Sequence, residues 1–179
     1  AVKDAGMEFI ACVAPVGYSN DLLSRDPNLA EGLPVVDQKF VVTEDRKIVP
    51  VDEGGELQNG SFESFTGDSP NGWAWVDAPG KVCFIDTSEH TDGKASLRMT
   101  DIGQNGNGRA QQKILVKPFH NYVVSFDVKT KDFDTPGNTN ITILSPNGQS
   151  MQQTALPITR DSDWKTVNVT FNSLDNKEV

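Results

Sequence analysis

Along residues 122–129 the chain alternates: Tyr122, Val124, Phe126 and Val128 fall on one side, Val123, Ser125, Asp127 and Lys129 on the other. A period of two is what a half-buried β-strand requires, because successive side chains point to opposite faces of a sheet. The Tyr122 row is expected to face a core. Val167, Val169 and Phe171 alternate with Thr166, Asn168 and Thr170 in the same way and predict a second such strand. Short strands are predicted at Lys81–Asp86, Ser96–Thr100, Ala110–Val116, Tyr122–Thr130, Asn140–Leu144 and Lys165–Phe171. Turn formers stand between them, as in Asn105-Gly106-Asn107-Gly108, Pro136-Gly137-Asn138 and Pro146-Asn147-Gly148. Short alternating segments divided by turns are the signature of an antiparallel β-sandwich.

The first third of the chain reads differently. Met7 to Ala14 is a mostly apolar run after Ala5-Gly6, the pattern of a strand buried on both faces, as in a parallel α/β sheet. A long stretch rich in Pro and Gly follows, from Pro15 to Pro34, which suits a βα loop better than a helix. Pro50-Val51-Asp52-Glu53-Gly54-Gly55-Glu56 then breaks the apolar pattern with turn formers and acids. The expected division is therefore 1–52 and 53–179. A length of 179 residues suits this, since domains run to about 100–200 residues and the total allows one domain plus a fragment.

Charge narrows the partners. Sixteen basic and 25 acidic side chains give a net charge of -9, spread over both segments. Such a balance argues against a phosphate-rich partner such as nucleic acid and favours neutral ligands or cations. No apolar stretch approaches the roughly 18 residues of a membrane span, so no membrane partner is expected. Cys12 and Cys83 lie far apart and read as free buried thiols, neither a disulfide framework nor a zinc set. Three Asn-x-Ser/Thr sequons, at Asn59, Asn140 and Asn168, arise readily by chance. No G-x-S-x-G, H-E-x-x-H or P-loop is present, and Gly103–Gly108 does not lead from a strand into a helix as a phosphate cradle must.

An ordered series of landmarks carries a resemblance. Leu57-Gln58-Asn59-Gly60-Ser61-Phe62-Glu63 is followed by Gly72-Trp73, then by Asp92-Gly93-Lys94-Ala95-Ser96-Leu97-Arg98. Gln112, Ile114, Val116, Pro118, Tyr122, Ser125, Val128 and Lys129 continue it, and Asp163-Trp164-Lys165 with Val167 ends it. Over residues 56–179 this resembles the carbohydrate-binding modules of families four, nine and twenty-two. The resemblance implies a jelly-roll β-sandwich that binds polysaccharide without catalysing a reaction. Residues 1–52, with Pro15–Asn20 and Asp26–Gly32 after the apolar run, resemble more loosely one βα unit of a glycoside hydrolase barrel. The family's last strand, which normally follows the Trp164 strand, is expected to be missing here, so that both ends look cut from a larger protein.

Sugar recognition needs a flat aromatic surface for the C–H face of the ring and polar side chains for its hydroxyls. Trp73 and Trp75, spaced i and i+2, fall on one face of a strand, so if one lines a groove the other can as well. Each also has a core reading, which is the stronger for Trp73, and Trp164 is assigned to packing. Arg109, Gln111, Gln112, His120, Asn140 and Gln152 are the polar candidates, each of which also reads as an ordinary solvated residue. Arg109 and Gln111 share a face opposite Gln112, Ile114 and Val116. The family resemblance also implies a structural calcium site built from the Ser61 carbonyl, the Glu63 carboxylate, and Asp92 or the Lys94 carbonyl. Asp132–Gly137 imitates an EF-hand start, but Pro136 and Ile143 stand where ligands belong, and it is rejected.

The expected function is non-catalytic binding of a β-glucan or xylan type polysaccharide, as a module of an extracellular or periplasmic glycoside hydrolase whose other domains are its partners. The alternative is a piece of the hydrolase's catalytic body in which the sandwich is a structural spacer. Glu31 could line a catalytic cleft, but a glycosidase needs two carboxylates in a complete barrel. An adhesion sandwich of immunoglobulin shape lacks the required Cys-Trp-Cys spacing.

Overall fold

The computed structural model describes residues 32–51, 53–100 and 107–179. Residues 1–31, on which the barrel likeness and the reading of Cys12 and Glu31 rest, lie outside the described residues, as do Asp52 and the turn at 101–106. The described residues are mainly β, with a single short 3-10 turn at Pro136–Asn138, compatible with the expected β-sandwich.

The strongest alternation builds the longest ladder. β9 (Asn121–Thr130) pairs antiparallel with β12 (Ser162–Asn172), setting Tyr122 opposite Phe171, Val124 opposite Val169 and Phe126 opposite Val167. These pairs form the inward row, with Val167, Val169 and Phe171 all buried, while Val123, Ser125, Asp127, Thr166, Asn168 and Thr170 face out. Between Ser162 and Lys165 the register slips by one residue, a bulge that turns the start of β12 and leaves Trp164 half-buried. Phe171 stacks on Tyr122 at 5.4 Å. It also meets Val116 and Ile143, with Ile114, Val124, Met151 and Val179 packed around them.

Ile143 and Met151 come from the hairpin of β10 (Asn140–Leu144) and β11 (Ser150–Ala155), the second a strand that the apolar pattern does not announce. β11 reads Ser-Met-Gln-Gln-Thr-Ala, and its partner, not its own composition, makes it a strand. Two-stranded ladders also join β3 (Phe65–Thr66) to β4 (Ser69–Pro70), β5 (Trp75–Val76) to β8 (Ala110–Gln111), and β6 (Cys83–Asp86) to β7 (Ser96–Met99). The strand expected over Ala110–Val116 is thus cut short after Gln111. Its alternation persists, with Ile114 and Val116 turned to the core, and its far end pairs with the chain terminus through Ile114 N–H to Val179 O at 2.8 Å and the reverse at 2.9 Å.

Residues Pro34–Val179 form one compact unit. The physical ties are specific. Val36 N–H donates to Phe119 O, Gln38 exchanges two side-chain hydrogen bonds with the Asn121 backbone, and Asn172 donates to Pro34 O. Residues 40–50 form a hairpin, β1 (Phe40–Val42) with β2 (Ile48–Pro50). Behind it, Glu53 gathers Lys39, Lys117 and the buried His120.

Candidate carbohydrate interface

The short ribbon β5–β8 places Trp75 directly opposite Gln111. Its hydrogen bonding continues on either side, with Ala74 N–H donating to Gln111 O and Asp77 N–H donating to Arg109 O, both at 2.9 Å. By the two-residue period, Trp75, Asp77, Gln111 and Arg109 therefore share one face, and Val76 and Ala110 share the other. The sequence at 73–77, Trp-Ala-Trp-Val-Asp, alternates in a way that makes this face the polar, aromatic one.

On this face Trp75 is 55% exposed, against the usual deep burial of tryptophan. Its indole N–H donates to Asp77 Oδ1 at 2.7 Å. Arg109 grips the same carboxylate with two donors, Nε to Oδ2 at 2.8 Å and a terminal nitrogen to Oδ1 at 3.2 Å. Arg109 holds the Asp77 carboxyl well below the usual carboxylate range, and the Trp75 N–H adds to the effect against the opposing cost of burial. Asp77 in turn raises the guanidinium. Trp75, Arg109 and Gln111 line a shallow groove of about 320 Å³. Fully buried Cys83 stays a protonated packing group, its thiol pushed up by burial and then by the charge of Asp77.

Of the expected binding residues, the fold brings Trp75, Arg109 and Gln111 together. Trp73 sits half-buried, stacked on Phe62 at 5.1 Å with its N–H on Asn59 O, so the i, i+2 spacing does not carry it into the groove. Gln112 faces inward and ties itself to Gln58 through a reciprocal pair of hydrogen bonds at 2.7 and 2.8 Å. His120, one of the polar candidates, is only 5% exposed, with Nδ1 at 2.9 Å from Pro118 O. Gln152 spends its amide on Thr170 O and the Thr154 hydroxyl. Asn140 is exposed at the start of β10, in a different ladder from β5–β8, and accepts a hydrogen bond from Thr142. Asp77 is the member of the cluster that sequence reading passed over. Its signal was there, two residues beyond Trp75 on one strand face, but only the pairing with Arg109 makes it meaningful.

The residues expected around a calcium ion lie in two turns that the fold sets against each other. Asn59 organises the first turn by donating to Ser64 O and Asn71 O and accepting from Ser64 N–H. Glu63 Oε1 then accepts the Lys94 and Ala95 N–H groups of the second turn, at 2.7 and 3.1 Å. Asp92 Oδ1 accepts Gly93 N–H at 2.8 Å. Gly93 has a φ of +64°, and a Cβ there would lie 2.2 Å from Glu63 Oε1, so only glycine permits this contact. Among the described residues no three His, Cys, Asp or Glu side chains cluster as metal ligands, so a cation here would depend on carbonyl oxygens as well. No helix among them is long and apolar enough to cross a membrane.

Residues 55–178 match the family profile of the carbohydrate-binding domain of the four and nine type. No curated protein and no solved structure matches the chain.

Proposed function

The chain belongs to the carbohydrate-binding domain family, and we propose that its Trp75 face grips a neutral polysaccharide of β-glucan or xylan type, as a secreted module of a glycoside hydrolase. The observation that carries this reading is the exposed indole flanked by Arg109 and Gln111 across two strands. A pyranose laid on the indole would bury its C–H face against the ring, and the free Arg109 and Gln111 donors would meet its hydroxyls. A groove this shallow suits a ligand that passes along the surface, with hydrophobic contact supplying affinity and the polar side chains supplying orientation.

The test is electrophoresis through gels containing soluble xylan or β-glucan. Retarded parent protein with freely migrating Trp75→Ala is the expected result, and equal retardation of the two removes Trp75 from the site. Calcium belongs to the same proposal as a structural ion. Glu63 and Asp92 would supply carboxylates, and Ser61 and Lys94 carbonyl oxygens, to a cation whose chemistry prefers such donors. Bound there, it would contribute charge that draws the two turns together. A chelator should then lower the melting temperature, and added calcium should restore it, without changing glycan contacts.

A further inference from the structure

Asp77 does something that an exposed ligand-binding carboxylate would not. Its side chain is only 11% exposed, and both oxygens are taken: Oδ1 by the Trp75 N–H and an Arg109 nitrogen, Oδ2 by Arg109 Nε. It therefore has little capacity left for a ligand hydroxyl. What it does is fix two neighbours that flexible side chains would otherwise let wander. The indole is held by its N–H, and the guanidinium is held by a fork-shaped pair of bonds that sets its plane. The same contacts change the charge of the face. Arg109 without Asp77 would present a full positive charge beside an aromatic ring, but paired it presents a neutral ion pair with donors left over.

Resting on the reading of this face as a glycan platform, we infer that Asp77 is its positioning and specificity-determining residue: it holds Trp75 and Arg109 in place and keeps the platform electrically neutral, so that neutral glycans are selected over uronate-bearing ones. A carboxylated sugar gains little from an arginine whose charge is already matched, and it meets the overall negative charge of the protein.

The experiment measures binding of parent, Asp77→Asn, Asp77→Ala and Trp75→Ala to a neutral xylan and to polygalacturonate, by calorimetry at one ionic strength. Both Asp77 variants are expected to bind the neutral glycan about tenfold more weakly, the scale of losing hydrogen bonds to a charged group. Their preference for polygalacturonate over xylan is expected to rise by a similar factor, because Arg109 is released. The Trp75 indole N–H resonance, identified by its absence in Trp75→Phe, should shift in Asp77→Asn. Parental affinity, preference and resonance position in Asp77→Asn overturn the inference. So does weaker binding to both polymers with an unchanged preference, which marks a purely structural role. Failure of the platform reading itself looks different, since Trp75→Ala then binds as the parent does.

Discussion

The β9–β12 ladder and the β5–β8 ribbon use the same two-residue alternation for opposite ends. β9 has 10 residues and β12 has 11, and their inward row of Tyr122, Val124, Val169 and Phe171 is packed away from water. β5 and β8 have two residues each, and the face that matters carries an exposed tryptophan. Order in the ladder comes from apolar packing and a long register. In the ribbon it comes from one carboxylate that ties an indole to a guanidinium. The contrast teaches that the exposed aromatic group proposed to meet a ligand is not among those that hold the fold, so stability and the proposed binding are separable.

The largest effect that can break this separation is at Phe171. Phe171→Ala is expected to cost about 3–5 kcal/mol, the usual loss for a large core aromatic, read as a shift in the denaturant midpoint. Glycan affinity of the molecules still folded should be unchanged, and a parallel loss of affinity would join the two regions after all. Next comes Trp75→Ala, expected to weaken glycan binding at least tenfold while unfolding stability stays within about 0.5 kcal/mol, as for surface positions. A large drop in its stability would make Trp75 a core residue in disguise.

Gly93→Ala sharpens the picture at the paired turns joined by Glu63. With φ at +64° and Glu63 in the way, it should destabilise by about 1–2 kcal/mol and disturb the ordered Glu63 contacts without touching glycan affinity. The smallest effect is in acid. Asp77 is held low by Arg109 first and then by the Trp75 N–H, against the opposing cost of burial. Asp86 is held low by the Ser88 hydroxyl and backbone N–H, and lies 3.0 Å from Arg98. Both carboxyls titrate lower folded than unfolded. Their stabilisation is therefore fully present above the ordinary carboxylate range, near 4, and is lost as pH falls through their lower folded values. Melting temperature followed from pH 7 down to about 2 should fall less for Asp77→Asn and Asp86→Asn than for the parent.

Much of the fold was readable along the chain because its strongest elements are also its most periodic. Asn140–Leu144 stands where the pattern predicts it, and Tyr122–Thr130 and Lys165–Phe171 need only short extensions. β11 escaped because Ser150, Gln152 and Gln153 give no apolar row, and it is held by its hairpin partner. β1 and β2 are not among the strands that the apolar pattern predicts, and the segment before them is fixed by distant partners, with Val36, Gln38 and Lys39 tied to Phe119, Asn121 and Glu53. Among site candidates, Trp75, Arg109 and Gln111 converge, while Gln112, Gln152 and His120 turn to internal partners. Side-chain type announced each as able to hydrogen-bond, and type alone does not say to what.

What the sequence by itself determined is therefore the local part: the period-two strands, the turns between them, the acidic balance, and the family that the ordered landmarks carry. Tertiary structure decided which polar groups remain for a ligand. Strand register brought residue 77 opposite residue 109, thirty-odd positions apart, and so turned a solvated-looking Asp and Arg into a fixed, neutral pair beside an exposed ring. Hydrogen bonds are short-ranged and directional, so that choice exists only once distant strands have met.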